Sequence, residues 1–308
     1  MDGLLIIDKP PDVTSHDVVA QARKILRERR IGHTGTLDPF ATGVLVLLVG
    51  RATRLAQFVS DTDKEYEAVI RLGFATDSGD LTGVPLEQSD TRLDFSESEL
   101  EAALAGLRGN ILQVPPMYSA KKKEGRKLYE FARRGIEIDR PPIPVCISEL
   151  QAIKTDGSVL KDNLDGTKDV RVRVVCSPGT YIRTLAEDLG KRLGSAAHVA
   201  ELRRTRIGEF SLDSAITLEM LKRSVEEEAV GTVLRPPAAA LSRMPFVHLT
   251  VEDARRAQNG TALAVPAADW SDEATVGLLD ERGNLIGVGY FDARKRLLQP
   301  GVVLSLEK

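Results

Sequence analysis

The run Gly32-His33-Thr34-Gly35-Thr36-Leu37-Asp38-Pro39-Phe40-Ala41-Thr42-Gly43-Val44-Leu45 constrains this chain more than any other stretch. It sets one acid, Asp38, on a tight, glycine-bounded loop just before the apolar run Val44–Val49. That run ends at Gly50 and has the length and composition of a buried strand. The three glycines permit backbone turns that other residues resist. Pro39 fixes its own φ and biases Asp38 towards extended backbone. A folded chain would therefore present this carboxylate from a rigid base. Asp-Pro is also an ordinary turn signal, so the residues alone fit a purely structural loop equally well.

Around this loop the pattern is that of an α+β protein. Ser15 reads as an N-cap, followed by Val18, Val19, Ala22, Ile25 and Leu26 at helical spacing. Tyr66, Ala68, Ile70 and Leu72 alternate with more polar neighbours, as one face of a half-buried strand does. Ser96 with Glu99 predicts a capping box for a helix that ends near Gly106. Val170 to Cys176 reads as another strand. It meets Ser177-Pro178-Gly179, and a helix is expected after Thr180 with Ile182, Leu185, Leu189 and Leu193 as its apolar stripe. The strands are too dispersed for a simple βαβ repeat.

Arg235-Pro236-Pro237-Ala238-Ala239-Ala240 marks the approach to a domain boundary. Beyond it Thr250 and Asp253 predict the cap of a short helix ending at Asn259-Gly260. Strands follow at Thr275–Leu279, Leu285–Phe291 and Val302–Leu306, with a turn at Glu281-Arg282-Gly283-Asn284. Short strands punctuated by glycine predict a small β-barrel.

Bulk properties narrow the function classes. A chain of 308 residues with 42% hydrophobic and 28% charged residues is that of a soluble globular protein of one large or two ordinary domains. No apolar run approaches the roughly 20 residues needed to span a bilayer, and no signal peptide opens the chain. Cys146 and Cys176 have neither a CxxC spacing nor the crowding of a disulfide scaffold, so reduced thiols in a cytoplasmic protein are expected. The four histidines form no ligand grouping, and no metal is predicted. No dinucleotide fingerprint or P-loop is present, and no cofactor is expected. Net charge is −3, but the cations are bunched. Lys121, Lys122, Lys123, Arg126, Lys127, Arg133, Arg134 and Arg140 fall within a single short segment. Arg23, Lys24, Arg27, Arg29 and Arg30 precede the Asp38 loop. Such clusters are often solvated faces, and they are also what phosphate attraction requires, since that force acts locally.

The Asp38 run resembles the active-site motif of the TruB family, the synthases that make pseudouridine 55 in the T-loop of tRNA. Five other ordered blocks carry the same resemblance. Gly3-Leu4-Leu5-Ile6-Ile7-Asp8-Lys9-Pro10-Pro11, with Ser15 closing it, is similar to the family's opening motif, although Asp12 stands where members usually carry Gly. Asp63-Lys64-Glu65-Tyr66 resembles the segment that supplies the active-site tyrosine. Val114-Pro115-Pro116-Met117-Tyr118-Ser119-Ala120-Lys121 and the basic stretch after it resemble the bacterial RNA-clamping thumb. Gly179-Thr180-Tyr181-Ile182-Arg183-Thr184-Leu185 and Ala197-His198-Val199-Ala200-Glu201-Leu202-Arg203-Arg204-Thr205 match two further motifs.

The resemblance implies a pseudouridine synthase-type catalytic domain over residues 1–240, with a mixed or antiparallel sheet, flanking helices and a thumb at about 115–140. A PUA-like β-barrel would follow at 241–308. It implies Asp38 as nucleophile, Arg183 as its partner, Tyr66 as the catalytic aromatic that stacks on an extruded uracil and moves a proton through its hydroxyl, and Tyr181 as a second pocket aromatic. His33 would fill space around flipped nucleotides, and Leu202 would form an apolar wall. Lys121, Lys122, Lys123 and Arg126 would hold RNA, while Lys9 and Pro10 would buttress the loop without acting chemically. By themselves, Tyr66, Tyr181 and Leu202 read as core residues and His33 as a turn residue. The implied reaction breaks the C1′–N1 bond of uridine and joins C1′ to C5. It needs no redox step, in keeping with the motifs that are missing. The implied partner is the T-stem-loop of tRNA, met by a monomer away from any membrane.

Two other classes use similar residues. One is a tRNA-binding or tRNA-folding protein whose chaperone role dominates. The other is the guide-RNA-dependent relative of archaea and eukaryotes. Modification of an unmodified T-stem-loop without guide RNA separates both from a stand-alone synthase.

Overall fold

The structure, a computed structural model, describes residues 1–86, 91–119, 121–123, 125–132, 134–265 and 269–304. The side chains of Lys122, Lys123, Lys127 and Tyr129 lie outside that description, as does Arg133 altogether. The chain opens with β1 (Gly3–Lys9), α1 (Ser15–Leu26), β2 (Ile31–Thr34), β3 (Thr42–Val49), the short α2 (Ala56–Ser60) and β4 (Lys64–Leu72). Next come α3 (Glu97–Ala105), β5 (Gly109–Gln113), the two-residue strands β6 (Lys122–Lys123) and β7 (Arg126–Lys127), and α4 (Leu128–Ala132). Then follow β8 (Ile143–Ile153), β9 (Leu160–Asp162), β10 (Lys168–Cys176), α5 (Ile182–Arg192), β11 (Ala197–Ile207), β12 (Phe210–Ser211) and α6 (Leu218–Glu226). The remainder is β13 (Phe246–His248), α7 (Val251–Gln258), β14 (Leu263–Ala264), β15 (Thr275–Leu279), β16 (Leu285–Asp292) and β17 (Leu297–Val303).

A ten-stranded sheet runs β1-β3-β11-β4-β10-β8-β5, with β2, β9 and β12 attached to β3, β10 and β11. Its ladders are antiparallel except where β11 lies parallel to β3, so the sheet is mixed, as expected. Sequence pattern explains which strands lie deepest. Leu4 to Ile7 and Val44 to Val49 are apolar without alternation, which suits strands buried on both faces. Leu4, Ile6, Val44, Val46 and Leu48 pack towards the C-terminal sheet residues Leu285 and Val288. Leu5, Ile7, Leu45, Leu47 and Val49 face α1 and Leu221 of α6. In β4, by contrast, Tyr66, Ala68, Ile70 and Leu72 enter the core with Leu104 of α3 and Leu185 and Leu189 of α5, and alternation reappears.

Local signals mostly place the helices as expected. Ser96 and Glu99 form the predicted capping box, and Thr250 caps α7 by accepting from Asp253 N. The N-cap of α1 is Thr14, however, not Ser15. Its hydroxyl accepts from Asp17 N, and the Asp17 carboxylate returns to Thr14 N at 2.9 Å. Two adjacent hydroxyl residues compete for one cap, and the acid three places on selects Thr14. Asp12 takes the left-handed conformation, φ 61°, that glycine adopts easily. Aspartate is one of the few other residues that tolerates it.

The C-terminal sheet runs β13-β15-β16-β17-β14 and has a PUA-like form. Its last strand is displaced from the expected Val302–Leu306, occupying Leu297–Val303 instead, and 305–308 lie outside the described residues. Pro300 and Gly301 argue against a strand on propensity alone. The ladder accommodates them through a register shift between Val288 and Gly289, opposite Pro300. This sheet is tied to the first domain through the segment after β3, where Arg51 donates to Leu304 O at 3.3 Å and Arg54 to Val303 O.

The three glycines of the Asp38 run differ in role. Gly32 lies in β2, and a Cβ there would meet nothing closer than Thr53 at 3.9 Å. Gly43 has φ 103°, and a Cβ would stand 2.1 Å from Arg204 O, where β3 meets β11. Gly43→Ala is expected to lose about 3 kcal/mol or more of stability in urea unfolding, combining overpacking with backbone strain. Gly109→Ala, with φ 81° but open space around it, is the control for strain alone at about 1–2 kcal/mol. Equal losses at the two positions would show that the close approach at Gly43 is unimportant.

Candidate active site

One face of the sheet forms the floor of a cleft of about 300 Å³. Side chains two apart on a strand share a face, so β4 presents Lys64 and Tyr66 together, and β11 presents Leu202 and Arg204. The β2–β3 loop brings Asp38 to one wall. The turn Ser177-Pro178-Gly179-Thr180 leads into α5 and brings Tyr181 and Arg183 to the other. Elements more than a hundred residues apart thus converge on a single carboxylate.

Arg183 and Asp38 form a two-point ion pair, Nε to Oδ2 at 3.0 Å and Nη2 to Oδ1 at 3.1 Å. The planar fork of arginine matches a carboxylate in this way. The remaining Arg183 hydrogens reach Ser78 O at 2.9 Å and Tyr118 O at 2.7 Å, and Nη1 stands 3.5 Å from the Asp80 carboxylate. The Arg183 side chain is 5% exposed, whereas that of Asp38 is 32% exposed. The cation is therefore enclosed and the carboxylate faces the cleft. Loss of water around it pushes the Asp38 carboxyl above its ordinary range, and the nearby Asp80 adds to this, while Arg183, Lys9 and Arg204 oppose it. Asp80 is buried and accepts from Ser78 Oγ at 2.8 Å, Thr82 N at 3.0 Å and Thr82 Oγ1 at 2.6 Å.

The loop that carries Asp38 is held through its main chain. Lys9 Nζ donates to Pro10 O at 2.9 Å, Val13 O at 2.7 Å and Pro39 O at 3.0 Å, using all three ammonium hydrogens. Burial lowers its pKa to about 8, with Asp38 opposing the shift. Ser15, freed from capping α1, accepts from Leu37 N at 2.9 Å and donates to Leu37 O at 3.2 Å. Arg204, fully enclosed, donates to Gly35 O at 2.7 Å and Val44 O at 2.8 Å, at the two ends of the loop.

Of the aromatic residues, Tyr66 is buried in the floor near Arg204, and burial raises its pKa. Tyr181 is half-buried, with its pKa likewise raised by burial. The Gln113 side chain fixes its backbone, accepting from Tyr181 N at 3.0 Å and donating to Tyr181 O at 3.3 Å. Leu202 and Lys121 line the same cleft, Lys121 from an exposed position. His33 does not line it. It lies on β2, edge-on to His16 with ring centroids 6.2 Å apart. Pro10 is exposed beside the Lys9 ammonium, and Arg126 is exposed on the β6–β7 ribbon. The Lys122 and Lys123 side chains are outside the described residues. Among the described residues no group of acids, histidines and cysteines is arranged to hold a metal ion, and no helix is long and apolar enough to cross a membrane.

Lys64, Asp80, Arg204 and the hydroxyl of Ser15 are parts of the site not singled out from sequence. Period-two spacing from Tyr66 and Leu202 places Lys64 and Arg204 on the cleft face. No comparable signal marks Asp80, which arrives through a loop.

Fold and site together define a pseudouridine synthase: an α+β body with a mixed sheet, an aspartate–arginine pair in an open cleft, and a PUA-like sheet behind it. Residues 23–182 match the model of the TruB family pseudouridylate synthase N-terminal domain, and 183–242 that of the tRNA pseudouridylate synthase B C-terminal domain. The chain is 39% identical to tRNA pseudouridine synthase B of Bacillus pumilus, covering all of this chain and 99% of that one. It is 42% identical to the enzyme of the same name from Aromatoleum aromaticum, over 96% and 91% of the two chains. With tRNA pseudouridine synthase B of Bacillus subtilis it shares 38% identity over 99% and 98%. Among solved structures, a chain of an H/ACA RNP bound to a substrate RNA containing 2′-deoxyuridine superposes with TM-score 0.73 at 25% identity, over 99% of this chain and 85% of that one. A chain of the archaeal box H/ACA sRNP Nop10–Cbf5 complex gives 0.71 at 24%, over 98% and 86%. The chain belongs to the TruB family. It is an isomerase that converts uridine in tRNA to pseudouridine.

The Lys9 bonds generate a stability prediction. Lys9→Met keeps the stem but leaves three carbonyls without their donor, and is expected to destabilise the protein by about 2–5 kcal/mol in urea unfolding. Native stability in that variant would show that the ammonium does not hold the loop.

Proposed function

We propose that this enzyme acts on uridine 55 in the T-loop of tRNA, as a monomer in the cytoplasm and without a guide RNA, using Asp38 as its nucleophile. The two-point Asp38–Arg183 pair carries the reading. It keeps one carboxylate ionised and oriented at the edge of a cleft large enough for a nucleotide, while burial strips that carboxylate of water. Substrate class rests on the full-length likeness to relatives named tRNA pseudouridine synthase B, and independence of a guide on the long basic segment from Lys121 to Arg140 and the compact C-terminal region. The catalytic domain is taken as residues 1–240 and the PUA-like domain as 241–308.

In this mechanism the target base leaves its stack and enters beside Tyr66, whose ring offers a face for stacking. Asp38 attacks the reacting uridine, the C1′–N1 bond breaks, and the detached uracil turns between Tyr66 and Leu202. A C1′–C5 bond then forms and the bond to Asp38 breaks, which returns the free carboxylate. C5 loses its proton and N1 gains one, so the balance is an isomerisation. Since burial raises its pKa, the Tyr66 hydroxyl stays protonated at neutral pH and serves as a hydrogen-bonding group on the base. Lys121, Lys122, Lys123 and Arg126 hold RNA phosphates, His33 contacts nucleotides displaced from the loop, and Tyr181 closes the cleft from the α5 side.

Release of the C5 hydrogen of uridine to solvent follows the reaction directly. Asp38→Asn is expected to bind an unmodified T-stem-loop while its single-turnover rate falls by at least roughly 10³-fold, because shape is kept and charge is lost. Appreciable turnover by that variant would falsify the nucleophile assignment.

The wild-type rate has a predicted pH dependence. Protonation removes the nucleophile, so activity is full above the Asp38 pKa and declines as pH falls through it. Because desolvation raises that pKa, the acid limb should lie above the ordinary aspartate range. A single-turnover rate that stays level through that range down to pH 4 would contradict this.

A further inference from the structure

Lys64 is a buried cation that the mechanism above does not use. It is 6% exposed, lies on the cleft face of β4 two residues before Tyr66, and lines the cleft. Its ammonium donates to Ser60 O and Thr62 O, closing the turn between α2 and β4. A lysine has three hydrogens to give. Lys9 gives all three to carbonyls and is absent from the cleft lining, whereas Lys64 gives two and borders the cleft. Among the described residues no carboxylate lies within ion-pair distance of Lys64. The nearby acids Asp61 and Asp63 point from an exposed turn. Arg204, equally enclosed and without an acidic partner among the described residues, stands on the same floor. An enclosed charge without a counter-ion is costly, and an entering anion offsets that cost.

We propose that Lys64 binds a backbone phosphate next to the uridine that enters the cleft, anchoring the nucleotide while its base lies against Tyr66. This rests on the reading that an RNA nucleotide occupies the cleft. The anion is a phosphodiester because the substrate brings no other formal negative charge. The placement also fits the strand geometry. Residues two apart on one strand face are separated by about 6–7 Å, close to the span between a nucleotide's base and its own phosphate. One residue of the Asp63-Lys64-Glu65-Tyr66 block would thus hold the base and another the backbone. Burial also lowers the Lys64 pKa to about 8, a shift that an adjacent phosphate would reverse.

The test pairs enzyme variants with RNA analogues. A T-stem-loop is made with a neutral methylphosphonate at the linkage 5′ or 3′ of the target uridine. Binding and single-turnover C5-hydrogen release are then measured for wild type, Lys64→Met and Lys64→Arg. The expectation is that Lys64→Met binds native RNA roughly ten- to a hundredfold more weakly, with a salt slope smaller by about 0.7–0.9. Lys64→Arg should recover most of the affinity. One of the two analogues should weaken wild type to a similar degree and weaken Lys64→Met no further. Additive losses at both linkages would assign Lys64 to holding the α2–β4 turn and overturn the proposal, as would native-like binding by Lys64→Met. If Lys64→Met unfolds, Lys64→Gln, which can still donate to a turn carbonyl, takes its place under the same criteria. Failure of wild type to modify the native T-stem-loop would instead overturn the functional reading beneath it.

Discussion

Arg183 is the interaction on which the rest of the site depends. It joins the Asp38 loop, the segment at Ser78 and Asp80, the chain at Tyr118 and the start of α5 through one guanidinium. Two carboxylates face a single cation, a favourable balance only because both stay fixed. Asp80 is fixed by Ser78 and Thr82, and Asp38 by its loop. The same balance leaves Asp38 incompletely neutralised, since its partner is shared. A carboxylate with a whole arginine to itself would be held more firmly ionised. Sharing keeps it oriented while leaving its charge less fully compensated.

The loop itself is organised by cations that bind carbonyls. Lys9 reaches Pro39 O, Arg204 reaches Gly35 O and Val44 O, and neither forms an ion pair with Asp38. Such bonds satisfy buried main-chain acceptors, which would otherwise be costly, and fix the backbone without consuming the functional carboxylate. They also raise the local positive potential, which partly offsets the desolvation of Asp38. Rigidity and electrostatics come from the same side chains. Ser15 completes the loop with a neutral pair of bonds to Leu37, possible only because Thr14 takes the helix cap.

How far the sequence disclosed this differs by residue type. Apolar strands and capped helices were legible because their signals are local: β3 from its unbroken apolar run, α3 from Ser96 and Glu99, α7 from Thr250 and Asp253. The last strand was misplaced because Pro300 and Gly301 contradict local propensity, and only the register shift against β16 reconciles them. The α1 cap was misplaced by one residue because two hydroxyls compete and a side chain three positions on decides. At the site, Asp38 and Arg183 stood out through their family motifs, and the geometry brings them into contact. His33 belongs to the same run but lies on a strand facing His16, since alternation along β2 turns it away from the cleft lining. Asp80 was invisible because its meaning depends on a loop folding back onto α5.

Net charge was the most misleading property, and the distribution of ion pairs explains why. The sheet face opposite the cleft carries many charges already matched: Arg71 with Asp169, Arg171 with Glu67 and Glu201, Arg173 with Glu65 and Glu149, and Arg203 with Asp8. Matched pairs on a solvated face project little field beyond about 8–10 Å at physiological salt. In the cleft, Lys64, Arg204 and Lys121 have no acid within ion-pair distance among the described residues. Their field is spent on whatever enters. A chain of net charge −3 can therefore present phosphates with a locally cationic floor. Acids on the far face lower the total charge without weakening that floor, so the sum over the chain says little about its ligand. What decides is which cations line the cleft without an acid partner, and Lys64, Arg204 and Lys121 do so beside Asp38.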